Sequence, residues 1–208
     1  MKTIITATAL VCTTLFSLNA QQDAKASKIL DEISKKTTSY STITLSFKMS
    51  AKGQDVNQTM SGTAKIKGDS YYLSIDEQEI FSNGKTMWTY LKEDNECYIE
   101  EAGDNDDFIT PTKLLTIWED GFKSQFVKEE GNIQTIKLFP SNPTDSKFHT
   151  VLLKIDKTKK QIKSAVIKGK NGVTLTYILT SLIPNKDIPD STFHFDKSKH
   201  PGVTIIED

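Results

Sequence analysis

Glu79-Ile80-Phe81-Ser82-Asn83-Gly84-Lys85-Thr86-Met87-Trp88-Thr89-Tyr90-Leu91 is the stretch from which the fold of this chain is read. Asn-Gly between two apolar-rich runs is a strong short-range hairpin signal. Both central residues of a two-residue type I′ turn need φ > 0, and Asn and Gly tolerate that best. Beyond the turn the side chains alternate, with Trp88 and Tyr90 on one face and Met87 and Leu91 on the other. Large apolar groups on both faces do not suit a half-wetted edge. The spacing predicts a strand inside a sheet, with one face on a core or cavity.

Upstream, residues 42–50 place Ile43, Leu45, Phe47 and Met49 on one face and Thr44, Ser46 and Lys48 on the other. Lys52-Gly53-Gln54-Asp55 turns the chain into residues 56–67, where Val56, Met60, Ala64 and Ile66 share a face. Gly62 in that face signals a bulge or close packing. Tyr71–Ile75 leads into the hairpin, and Cys97-Tyr98-Ile99 follows it. Downstream, strands are expected at Phe122–Val127, Ile133–Phe139, His149–Ile155, Gln161–Ile167 and Val173–Leu182. A second Asn-Gly, at Asn171-Gly172, supports an antiparallel meander. Phe193-His194-Phe195 and Val203–Ile206 read as terminal strands. The expectation is α+β, mostly β, with about eleven short antiparallel strands; so many strands curl or split rather than stay flat.

Two helices accompany them. Residues 23–40 carry Ala26, Ile29, Leu30, Ile33, Thr37 and Tyr40 at helical spacing, with lysines and acids on the other side. Thr110-Pro111 starts a short second helix bearing Leu114, Leu115, Ile117 and Trp118, which Gly121 stops. A strongly curled, unclosed sheet with both helices over its concave side satisfies both apolar stripes.

The 208 residues suit one domain. Residues 1–20 read as a secretory signal: Lys2, then an apolar stretch from Ile4 to Leu18, then Ala20 before Gln21-Gln22-Asp23. The domain is then 21–208. Removing residues 1–20 takes Cys12 and leaves Cys97, so no intramolecular disulfide forms and the core must hold the fold. Cys97 reads as a small apolar strand residue. All 26 basic residues are Lys, against 27 acids, for a net charge of −1. Without Arg, the usual bidentate reader of guanine and phosphate, nucleic acid is not an expected partner.

Catalytic patterns are missing. His149, His194 and His200 are scattered, with no Cys or carboxylate at metal-ligand spacing. There is no G-x-S-x-G, no Cys-His nucleophile pattern and no phosphate loop. Asp104, Asp106 and Asp107 lack the glycine and closing Glu of an EF-hand loop and read as a solvated acidic loop. The chain reads as a binding protein, not an enzyme, with no cofactor and no metal. Two apolar helices, Trp88, Tyr90, Trp118 and ten Phe exceed what a thin sheet needs. Either a filled core or an apolar ligand cavity accounts for them.

In this light the chain resembles the LolA family, the periplasmic carriers of lipoproteins. Ser82-Asn83-Gly84-Lys85-Thr86-Met87-Trp88-Thr89-Tyr90 is similar to the family's D-G-K-x-L-W-x-Y hairpin. Pro111-Thr112-Lys113-Leu114-Leu115 resembles its P-x-x-L-L helix. Phe193-x-Phe195 with Pro201-Gly202-Val203-Thr204-Ile205 resembles its F-x-F…P-x-G-V-x-V ending. The resemblance implies an unclosed β-barrel with helices in its mouth. Its task would be to take acylated lipoproteins from an ATP-driven inner-membrane complex to the outer membrane or an acceptor there, acting as a periplasmic monomer. The family's lid arginine has no equivalent, and only Lys67 lies nearby. Tyr72 and Ile80 fall at the family's apolar cavity positions, and the first amphipathic helix and Phe47 also fall where the family has them; Ile33 on that helix joins the expected set. Trp88, Tyr90, Leu114, Leu115 and Trp118 complete the expected lipid-binding set. Transport of another envelope lipid, or an envelope sensor module that binds a protein, stays open beside this reading.

Overall fold

Strict alternation over most of the chain builds one sheet. The structure is a computed structural model that describes residues 12–102, 115–119 and 121–207. The first meander comprises β1 (Ile43–Lys52), β2 (Asn57–Lys67), β3 (Ser70–Ile75), β4 (Gln78–Ser82), β5 (Thr86–Leu91) and β6 (Glu96–Glu101). The second comprises β7 (Phe122–Glu130), β8 (Ile133–Pro140), β9 (Phe148–Asp156), β10 (Gln161–Gly169) and β11 (Thr174–Pro184), and β12 (Thr204–Glu207) ends the chain. The order is β12-β6-β5-β4-β3-β2-β1-β11-β10-β9-β8-β7. The sheet is unclosed, with β12 at one edge and β7 at the other. β5 lies in its interior, as its two apolar faces predict.

The two meanders meet where β1 pairs with β11. A bulge at Thr180 shifts this register, from Ser46 opposite Ser181 to Phe47 opposite Leu179. Bulges increase local twist and bend the strand, which suits a curling sheet.

The twelve strands correct the expectation in two ways. β12 runs parallel to β6, with Thr204 opposite Glu96 and Ile206 opposite Tyr98, so the sheet is not wholly antiparallel. Phe193-His194-Phe195 is not a strand. Asp190–Phe193 and Lys197–Lys199 are single 3₁₀ turns in a strap from β11 to β12. The strap crosses over a sheet face and brings β12 in alongside β6 in the same direction.

The hairpin turn also differs. Only Gly84 takes positive φ, at 84°. The Asn83 side chain accepts from the backbone N–H groups of Lys85 and Thr86 at 2.9 and 2.8 Å. That closes a wider loop without the type I′ geometry, so Asn83 need not enter the left-handed region.

The first helix, α1 (Cys12–Thr38), begins earlier than the expected residue 23 and runs unbroken through Gln21-Gln22-Asp23. Glutamine is a good helix former, so those residues do not interrupt it. No described helix is long and apolar enough to cross a membrane. Of the second helix, Leu115 and Thr116 are helical; its expected start at Thr110–Leu114, and the acidic loop with Asp104, Asp106 and Asp107, lie outside the described residues.

Candidate functional site

One face of the sheet is apolar from β8 to β4. Ile136, Leu138, Val151, Leu153, Ile155 and Ile167 supply it from β8, β9 and β10, nearly all of them fully buried. Ile43, Leu45, Phe47, Ala64, Leu73 and Ile80 continue it across β1 to β4. Tyr177 and Leu179 on β11 pack against both halves and make the surface continuous. Its buried hydroxyls stay neutral: burial pushes the phenols of Tyr71 and Tyr177 above their ordinary value.

This face is covered by α1 and by the segment Leu115–Glu119. The helix buries Ala26, Leu30 and Ile33 against the second half of the sheet. These lie at the i, i+4, i+7 positions expected of an inward stripe. Burying a Leu or Ile side chain stabilises by about 1.5–3 kcal/mol, so this seal is worth several kcal/mol. Trp118 and Ile117 join the same cluster, and Leu115 reaches the first-half cluster. Ser34 on α1 donates to the Glu119 carboxylate, tying the two covering segments together. The Trp118 indole N–H is buried and has no hydrogen-bond partner among the described residues. An unpaired buried donor costs about 1–3 kcal/mol.

The structure divides the expected lipid-binding set by sheet face. Ile33, Phe47, Ile80, Leu115 and Trp118 come together on the apolar inner face. Tyr72, Trp88 and Tyr90 stand on the opposite face. Tyr72 lies across from Phe81, and Phe81 across from Trp88. Tyr90 packs with Cys97 and Val203. Leu114 lies outside the described residues.

The outer aromatic row has its own cover, the C-terminal strap. His194 rests on Trp88 with ring centroids 5.6 Å apart, and Phe195 meets Tyr90 at 5.4 Å. His200 stacks on Phe195 at 4.6 Å. Lys67 ties down this strap: it donates to Asp190 at 2.6 Å and to the Ile188 carbonyl at 3.4 Å. It therefore latches the outer strap, not the inner helical cover. Sequence reasoning missed His200, Phe195 and Ile188 here, although the expected F-x-F ending marked the region.

At the seam between α1 and the sheet lies an opening of about 300 Å³. Its floor is Ile29, Ile33 and Ile155; its rim carries Lys25, Lys28, Lys157 and Lys160 with Glu32 and Gln134. Lys160 sits 2.9 Å from Glu32 and holds that carboxyl below the usual range. Lys157 does the same to the neighbouring Glu129.

The family model described as outer membrane lipoprotein carrier protein LolA matches residues 16–173. No curated protein sequence matches the chain. Among solved structures, an uncharacterized conserved protein from Thermus thermophilus aligns with TM-score 0.57 at 9% identity, over 88% of this chain and 98% of its own. A LolA superfamily protein from Nitrosomonas europaea aligns with TM-score 0.44 at 12% identity, over 83% of this chain and 98% of its own. A chain of the Pseudomonas aeruginosa MucA/MucB complex aligns with TM-score 0.41 at 9% identity, over 83% of this chain and 62% of its own. At these identities the likeness is one of fold.

Proposed function

The chain belongs to the LolA family of outer-membrane lipoprotein carriers, and we propose that it carries acylated lipoproteins across the periplasm. In this reading residues 1–20 are removed on export and 21–208 form the carrier. It receives cargo from an ATP-driven complex of the inner membrane and delivers it to the outer membrane or an acceptor there.

The observation that carries the reading is the covered apolar face. Ala26, Leu30, Ile33 and Trp118 close a surface that runs from β8 to β4. A buried acyl chain gains about 0.8 kcal/mol per CH₂, so one long chain is worth on the order of 12 kcal/mol. That exceeds the several kcal/mol with which α1 seals the sheet, so entering chains can displace the cover. The empty form closes on itself because an open one would expose a large apolar patch. The lone indole N–H of Trp118 suits the ester carbonyl of an acyl chain. The carrier needs no catalytic residue, since the energy-consuming step belongs to the membrane complex.

Native mass spectrometry after co-expression with an acylated lipoprotein tests this. A complex whose mass includes the acylated cargo, lost when the cargo's acylated cysteine is replaced, is the expected result. Cargo retained without its acyl chains would overturn the reading. In parallel, Trp118→Asp should leave the sheet folded while removing binding of a fluorescent fatty-acid probe.

A further inference from the structure

We propose that the lysine-rimmed seam between α1 and the sheet is a head-group site for a phosphate-bearing lipid. The inference rests on acyl chains entering beneath α1 and adds a second class of ligand, beside acylated lipoproteins, that the same entrance admits. Three observations meet at one place. The opening is bounded on one side by the movable cover, since Ile29 and Ile33 belong to α1. Its floor joins the apolar face, because Ile33 and Ile155 are buried in the same cluster as Leu30 and Leu153. Its rim holds four lysines against the carboxylates of Glu32 and Glu129.

The charge is lopsided within a chain that is nearly neutral overall, at −1. Lys157 and Lys25 share Glu129, at 2.5 and 3.8 Å, and Lys160 is held by Glu32. Lys28 makes no ion pair among the described residues, although its charge helps hold the Glu32 carboxyl low. A phosphate placed here meets two surplus positive charges, while a tail attached to it reaches apolar residues within the same opening. Lysine suits this task as a compact point charge with rotatable donors. A neutral acylglycerol leaves the rim charges uncontacted, so between free lipids of equal tail length the seam favours the one that bears a phosphate.

The test compares lysophosphatidic acid, the monoacylglycerol with the same chain, and inorganic phosphate. Binding is read by displacement of a fluorescent fatty-acid probe from the full mature chain at low salt. The expected result is that lysophosphatidic acid binds about tenfold tighter than the monoacylglycerol, as one charge-assisted contact would provide. The exposed pair Lys28→Gln and Lys160→Gln should erase that preference while leaving monoacylglycerol affinity unchanged, with circular dichroism confirming the fold. Equal binding of the two lipids by the wild type, or a preference that survives the double variant, would overturn the proposal. So would inorganic phosphate alone abolishing the preference at stoichiometric concentration, which would mark a free-anion site. Failure of both lipids to bind would instead sink the acyl-carrier reading together with this one.

Discussion

Phe47 lies directly across Gly62, its register partner on β2, and occupies the space a side chain there would need. A Cβ built on Gly62 would stand 2.5 Å from Phe47 Cζ and 2.9 Å from the Ser74 carbonyl oxygen. The glycine is thus required by close approach, not by an unusual backbone angle. It lets Phe47 lie flat on the inner face beside Leu45 and Ala64.

Gly62→Ala should therefore destabilise the protein. Glycine to alanine in a strand normally gains a few tenths of a kcal/mol from the unfolded state. Overpacking of this kind costs about 1–3 kcal/mol and outweighs that gain. The measurement is the urea midpoint. Phe47→Leu in the same chain should recover part of the loss, giving a coupling term between the two sites. Strict additivity of the two substitutions would refute the contact.

The two faces of the sheet should separate stability from binding. Trp88→Ala removes an outer ring that His194 covers, and should cost about 1–3 kcal/mol, less than for a fully buried Trp. Its affinity for a fatty-acid probe should stay within about twofold of wild type, because it does not face the apolar side. Phe47→Ser should weaken the probe at least tenfold, about 1.4 kcal/mol. A loss of affinity in Trp88→Ala with none in Phe47→Ser would place the ligand on the outer face.

This division shows what the sequence can express. Period-2 alternation separates Trp88 and Tyr90 from Met87, and the hairpin, both meanders and the inward stripe of α1 were legible on that basis. Alternation does not say which face is inner. On β3 to β5 both faces are apolar, because residues 190–200 return to cover the outer one. The aromatic side chains that attract attention in a sequence, Trp88 and Tyr90, belong to that second cover. The inner face is built from less conspicuous residues, such as Val151, Leu153 and Ile167. The parallel entry of β12 was illegible for a related reason: strand direction there follows from the path of the strap, and no local pattern encodes it. The turn at Asn83 was misjudged because its side chain, and not its backbone angle, closes the loop.

Tyr72 supplies a pH signature. Burial first, and then the hydrogen bond its hydroxyl donates to Glu79 at 2.9 Å, push its pKa up to about 12. The neutral phenol is the favoured form in the folded state. A group whose folded pKa is raised contributes stability that is fully present below its unfolded value near 10 and is lost as pH rises through 12. The urea midpoint of the wild type should fall between pH 10 and 12. Tyr72→Phe should start lower, having lost the bond to Glu79, and fall less over the same interval. Parallel curves for the two proteins would show that other groups carry the dependence.

Trp118 offers the sharpest test of the inner face, because its area and its donor can be separated. Trp118→Phe keeps most of the apolar contact but removes the buried Nε1–H, which has no partner among the described residues. Deleting an unsatisfied buried donor relieves a cost of about 1–3 kcal/mol, offset by the lost ring area, so stability should change little. Affinity should respond to ligand chemistry. If the indole N–H meets an ester carbonyl, the variant loses about fivefold to tenfold for a monoacylglycerol, in line with one neutral hydrogen bond. It loses nothing for an alkane of the same length, which presents no acceptor. An equal loss for both ligands would mean that Trp118 acts through shape alone. No loss for either would remove the residue from the binding face.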